Sequence, residues 1–141
     1  MRLYGYIRTC TTNRSGSYNS IENQRDRICE WVNKNGHELV CFFTDEAVSN
    51  YKNLNGTEFV NMLNMIEQCI ISPKIDGVIV SSISRISRNI DLCYSFSDNL
   101  DTYGVKLISA TEDLSYFYNS RDFLLTQKIL SNHLKTNKHQ R

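Results

Sequence analysis

Four short apolar runs set the terms for what this chain can fold into: RLYGYIRT at 2–9, ELVCFFT at 38–44, IDGVIVSSI at 75–83 and VKLISA at 105–110. Each reads as a strand. Between them lie segments whose apolar residues recur at helical spacing. Ile21, Ile28, Trp31 and Val32 share one face behind Ser20, a good helix N-cap, and Gly36 is a natural stop. Phe59, Leu63, Ile66 and Ile70 keep a second stripe, and Leu92, Phe96, Leu100 and Tyr103 a third that ends at Gly104. From about Asn119 a last helix carries Phe123, Leu130 and Leu134 along one side. Strands alternating with helices predict an α/β fold: three layers, a mainly parallel central sheet flanked by helices, and a C-terminal extending helix. The expected division is a core at 1–115 and a helix at 116–141.

Several classes fall away on composition. No apolar run approaches the roughly 20 residues of a membrane helix, and MRLYGYIRT does not resemble a secretory leader. The five cysteines contain no C-x-x-C pair, and none of the three histidines sits at ligand-like spacing from one, so no metal site is expected. Reduced thiols in a cytoplasm are the default. The net charge is +1, yet no acid follows Asp122, whereas Lys128, Lys135, Lys138 and Arg141 do. That tail carries +4 and leaves −3 on residues 1–122. It could track a phosphate backbone or simply form a solvated face.

Ligands of such sheets gather beyond the carboxyl ends of the strands. Arg8 and Cys10 stand at one such end, two apart and so on the same side of an extended strand. A guanidinium lowers a neighbouring thiol's pKa and can hold an anion against it. The plainer reading makes Cys10 a core filler and Arg8 a surface charge. Arg85 and Arg88 stand at another strand end. If a helix begins there, they form a phosphate clamp at its positive end; otherwise they are solvated charges. Asp45 and Glu46 close the second strand, as proton-moving or arginine-orienting carboxylates or as turn residues.

Taken together, YGYIRTCTT, SIENQ (Ser20 to Gln24), TDEAVSN (Thr44 to Asn50), IDGVIVSSISRISRN (Ile75 to Asn89) and GVKLISATED (Gly104 to Asp113) resemble, in order and spacing, the catalytic domain of the serine recombinases, the resolvase/invertase family. The resemblance implies a domain that cuts and rejoins double-stranded DNA through a covalent 5′-phospho-protein link. It implies no metal or nucleotide cofactor. Dimers pair into tetramers, and the helix after the core supports pairing and crosses the DNA. A cytoplasmic protein of a prokaryote, phage or other mobile element is expected. Arg8, Arg85 and Arg88 match the family's arginines, and Gln24 and Asp45 its polar positions. Lys128, Lys135, Lys138 and Arg141 would contact DNA.

The departures are specific. Cys10 stands at the serine nucleophile position, Gly56 at an arginine position, Ser84 at an acid and Asn50 at a glycine. Lys52 or Arg14 could stand in for the lost arginine. A phosphatase-type Cys-x5-Arg loop is absent, because Gly16 holds that place. Only 28 residues follow Asp113, too few for the family's usual DNA-binding domain after a linking helix. The alternative expectation is a retired paralogue that acts by dimerisation or by regulating a full-length recombinase. An unrelated phosphate-binding domain ranks last, since no Gly-rich phosphate loop is present.

Overall fold

The computed structural model describes residues 1–9, 20–46, 57–68 and 74–139. Strands β1 (Arg2–Arg8), β2 (Glu38–Asp45), β3 (Gly77–Val80) and β4 (Lys106–Ser109) form one sheet in the order β2-β1-β3-β4. Every pairing is parallel, from Arg8↔Asp45 on one side to Val80↔Ser109 on the other. β1 and β3 are central and buried along nearly their whole length, whereas β2 and β4 are edges with exposed positions.

Among the described residues, helix α1 (Ile21–Lys34) is the one that covers the first face. Ile28 and Val32 pack there on Leu3, Ile7 and Ile79. The other face meets α2 (Thr57–Gln68), α3 (Ile90–Asp101) and the base of α4 (Ser115–His139). Tyr4, Tyr6, Val78 and Leu107 join Phe59, Met62, Phe96, Leu100 and Phe117 in that larger core. Phe96 stacks on Phe59 with centroids 4.8 Å apart and tilts against Tyr6 at 5.4 Å. Such pairs add about 0.5–1.5 kcal/mol each beyond their burial. The expected three layers are therefore present, with a sheet that is parallel throughout.

Ser20 caps α1 by accepting from Asn23 N at 3.1 Å. Gly36 and Gly104 take φ of 68° and 70°, the left-handed backbone that ends a helix. Three local expectations shift. Met62, rather than Leu63, is the fully buried residue between Phe59 and Ile66 on α2, and Ile70 lies outside the described residues. α3 ends at Asp101, before Tyr103. α4 starts at Ser115, ahead of Asn119, because the Asp113 carboxylate accepts from Ser115 N at 2.8 Å and from its hydroxyl at 2.7 Å. Those bonds hold the Asp113 pKa below its ordinary value.

The base of α4 is fastened to its surroundings. Arg121 pairs with Asp101 and Asp98 at 2.5 and 3.5 Å and donates to Ser97 Oγ at 2.6 Å. The Tyr118 hydroxyl accepts from Leu107 N at 2.9 Å and donates to Leu107 O at 2.8 Å. It thus occupies the open edge of β4. Beyond Arg121 the helix leaves the core, and Phe123, Leu125, Ile129, Leu130 and Leu134 are exposed.

Candidate functional site at the carboxyl edge of the sheet

In a parallel sheet all strands end on the same side. Thr9, Asp45, the segment from Ser81 to Arg88, and Ala110 to Glu112 therefore share one edge. Arg8, the last residue of β1, is 5% exposed, and Asp45, its partner in register on β2, equally so. Thr9 N donates to Asp45 O at 3.0 Å, so the pairing runs to the end of the described segment. Gln24, buried in the first turns of α1, donates from Nε2 to the Arg8 carbonyl at 3.2 Å.

Both oxygens of the Asp45 carboxylate accept hydrogen bonds. Its Oδ1 accepts from Glu58 N at 2.9 Å, and Oδ2 from Phe59 N at 3.1 Å and from the Tyr6 hydroxyl at 2.6 Å. The first two are free amides of α2's opening turn, so Asp45 caps that helix from the neighbouring strand. Burial raises the Tyr6 pKa well above its ordinary value, and the bond to Asp45 and its charge add to the rise, while Arg8 pulls it back. Tyr6, Arg8 and Asp45 thus form one buried polar group at the ends of β1 and β2.

Arg85 and Arg88 do not lie on the first turn of α3. A 3-10 turn at Ile83–Arg85 intervenes, and α3 begins only at Ile90, where Asn89 Oδ1 accepts from Asp91 N at 2.9 Å. Arg85 is half-buried and Arg88 exposed. Their segment is gripped from two sides. Glu112 Oε1 accepts from Ile83 N at 2.7 Å. From α3, the Cys93 thiol lies 3.3 Å from Ser87 O and 3.6 Å from Ile83 O, positioned to donate to either. Burial pushes the Cys93 pKa up to about 11, with the Ser87 carbonyl lowering it and the Glu112 charge raising it.

Cys10, Arg14, Asn50, Lys52, Gly56 and Arg141 lie outside the described residues, as do the side chains of Lys135 and Lys138 on α4. Lys128 is exposed on that helix. Among the described residues, no group of three or more His, Cys, Asp or Glu could hold a metal, and no helix is long and apolar enough to cross a membrane. Sequence reasoning missed Tyr6, Glu112 and Cys93 as parts of this edge. Tyr6 alone left a trace, as it points to the same core-facing side as Tyr4.

Comparisons with known proteins concern the chain as a whole. The family model described as Resolvase, N terminal domain, matches residues 3–140. No curated protein matches the chain. Among solved structures, the N-terminal catalytic domain of TP901-1 integrase is similar over 96% of this chain and 99% of its own, with TM-score 0.75 and 21% identity. A resolvase family site-specific recombinase from Streptococcus pneumoniae is similar over 98% of this chain and 94% of its own, with TM-score 0.67 and 22% identity. The C-terminal catalytic domain of ISC1926 TnpA, an IS607-like serine recombinase, follows at 93% and 80%, TM-score 0.61 and 17% identity. These three likenesses are of fold.

Proposed function

The chain belongs to the resolvase family, and from that premise we propose that it is the catalytic domain of a site-specific recombinase, cutting and rejoining duplex DNA with Cys10 as its nucleophile. The observation that carries this reading is the shared edge. Arg8 ends β1 there, fixed by Gln24 and beside Asp45, and the turn bearing Arg85 and Arg88 follows β3 at the same side of the sheet. Cations carried on one edge suit a phosphodiester, whose charge rises at the transition state.

The reaction runs as two displacements. The Cys10 sulfur, deprotonated, attacks a backbone phosphorus. A sulfur–phosphorus bond forms, the bond to the 3′ oxygen breaks, and that oxygen leaves as a hydroxyl, taking up from solvent the equivalent of the proton the thiol gave up. Rejoining reverses the step on a new 3′ hydroxyl, so no net oxidation or hydrolysis occurs. Arg8, Arg85 and Arg88 stabilise the pentavalent phosphorus. Asp45 and Gln24 hold the strand ends that present Arg8. Residues 1–115 form this catalytic unit. Residues 116–141 make the second unit, whose helix pairs subunits through its exposed apolar side chains and which meets the DNA backbone through Lys128, Lys135, Lys138 and Arg141. The setting is the cytoplasm of a cell that hosts a mobile element.

Two substitutions favour a second reading, a retired paralogue that pairs with an intact recombinase: Cys10 for serine and Gly56 for arginine. A denaturing gel separates the two. Incubated with duplexes carrying its recombination site, the protein gives a covalent protein–DNA species that Arg85→Ala and Arg88→Ala abolish. Absence of that species from both the native chain and Cys10→Ser, with retained pairing to a full-length family member, establishes the second reading.

A further inference from the structure

The segment that carries Arg85 and Arg88 does not cap itself. Ser82, which precedes the 3-10 turn, makes no side-chain capping bond, and its hydroxyl lies 3.0 Å from Ser84 Oγ instead. The acceptor comes from 29 residues further along the chain, where Glu112 Oε1 takes the Ile83 amide at 2.7 Å. The same oxygen accepts from Ser109 Oγ at 3.1 Å, which fixes the carboxylate. Thr111 Oγ1 donates to the Ser81 carbonyl at 2.8 Å, so the exit of β4 holds both sides of the corner where β3 gives way to the turn. A carboxylate on a free turn amide is a charge-assisted bond, stronger than its neutral counterpart.

The next residue faces the other way. Asp113 caps the start of α4 through Ser115. Consecutive carboxylates therefore grip the arginine segment and the long helix.

We infer that Glu112 is a positioning residue for the phosphate site: it sets the orientation in which the turn offers Arg85 and Arg88, and links that orientation to the seating of α4. The inference rests on the recombinase reading above and deepens it. Glu112 itself touches no substrate.

The test uses Glu112→Ala and Glu112→Gln in the full chain. Glu112→Gln keeps an acceptor for Ile83 N; Glu112→Ala does not. Amide hydrogen exchange is read at 83–88 and, as the folding control, in α1. Binding of a short DNA duplex at low salt is read alongside, in the native background and with Arg85→Ala and Arg88→Ala combined. In Glu112→Ala, exchange at Ile83 to Arg85 rises about tenfold while α1 is unchanged. Duplex affinity falls about tenfold in the native background and less than about twofold once the arginines are gone, as expected of residues that act as one unit. Glu112→Gln restores most of both. Unchanged exchange at 83–88, or an equal loss of affinity with and without the arginines, overturns the inference. If Glu112→Ala does not fold, Ser109→Ala and Glu112→Gln are compared by the same two readouts. A native chain that binds no duplex refutes the recombinase reading, and the exchange result then decides Glu112's hold on the turn separately.

Discussion

The Tyr6 hydroxyl donates to Asp45 Oδ2 at 2.6 Å, a buried bond between residues 39 apart in sequence. It joins the middle of β1 to the end of β2, at the carboxylate that caps α2. Removing the phenol oxygen leaves Asp45 with two amide donors and one fewer in a dry setting. Tyr6→Phe is expected to cost about 1–3 kcal/mol, and Asp45→Ala, which also uncaps α2, about 3 kcal/mol or more. Urea unfolding of the two variants and their double mutant checks this; the double should lose clearly less than the sum, since both break the same bond.

Gly5 is a packing requirement. A Cβ there would lie 2.5 Å from Phe42 Cδ1 on the adjoining strand. Arg25 also sits over that ring, 4.9 Å from its centroid. Gly5→Ala is expected to destabilise by about 1–3 kcal/mol, the usual range for overpacking. Phe42→Ala in the same chain should recover part of the loss, which thermal unfolding of the three variants would reveal.

Alkali should weaken the fold through Cys93. Its thiol stays protonated in the native state up to about pH 11, whereas the unfolded thiol ionises near its ordinary value of 9.0. Between those values the unfolded chain binds fewer protons, so stability falls as pH rises, by about 2–3 kcal/mol across the window. Tyr6, also raised, adds a second loss that begins above its ordinary value of 10.0. In Cys93→Ala the decline above pH 9 should be shallower than in the native chain, the remainder coming from Cys41, whose thiol burial also raises, before Tyr6 adds its own loss. Unfolding free energies from pH 7 to 11 test both slopes.

The outer part of α4 should be dispensable for the fold of a single chain. Leu130 and Leu134 are 53% and 61% exposed. Glutamate at both positions should change single-chain stability by less than about 0.5 kcal/mol each. Under the recombinase reading the same variants lose self-association in sedimentation. Undiminished association would place the pairing surface elsewhere.

The regular frame was legible because its signals are local. The apolar runs RLYGYIR and IDGVIV, the Ser20 cap and the stops at Gly36 and Gly104 all act within a few residues of themselves. The ordered motifs also carried the family. Contacts across the fold left no such trace. Nothing near Ile83 announces that Glu112 will hold it, so the segment SRISRN ahead of the helix carried no structure in the sequence, and a 3-10 turn is what forms there. At α4 the stripe of Phe123, Leu130 and Leu134 was read correctly as one side of a helix. At about 100° per residue, however, Leu114, Phe117 and Arg121 fall across the helix from it, and they are the residues that dock. Periodicity identified a face without saying whether the core would take it. Asp45 matched a polar position by pattern, but its bonds to Tyr6, Glu58 and Phe59 come from elements that meet only in three dimensions.

One phenol oxygen blunts one of the sheet's two edges. With the Tyr118 hydroxyl answering both polar groups of Leu107, β4 offers an incoming strand no ready place to zip on. The long helix that carries this stopper thereby covers part of a border where another strand could otherwise pair, a duty independent of any chemistry at the strands' carboxyl ends.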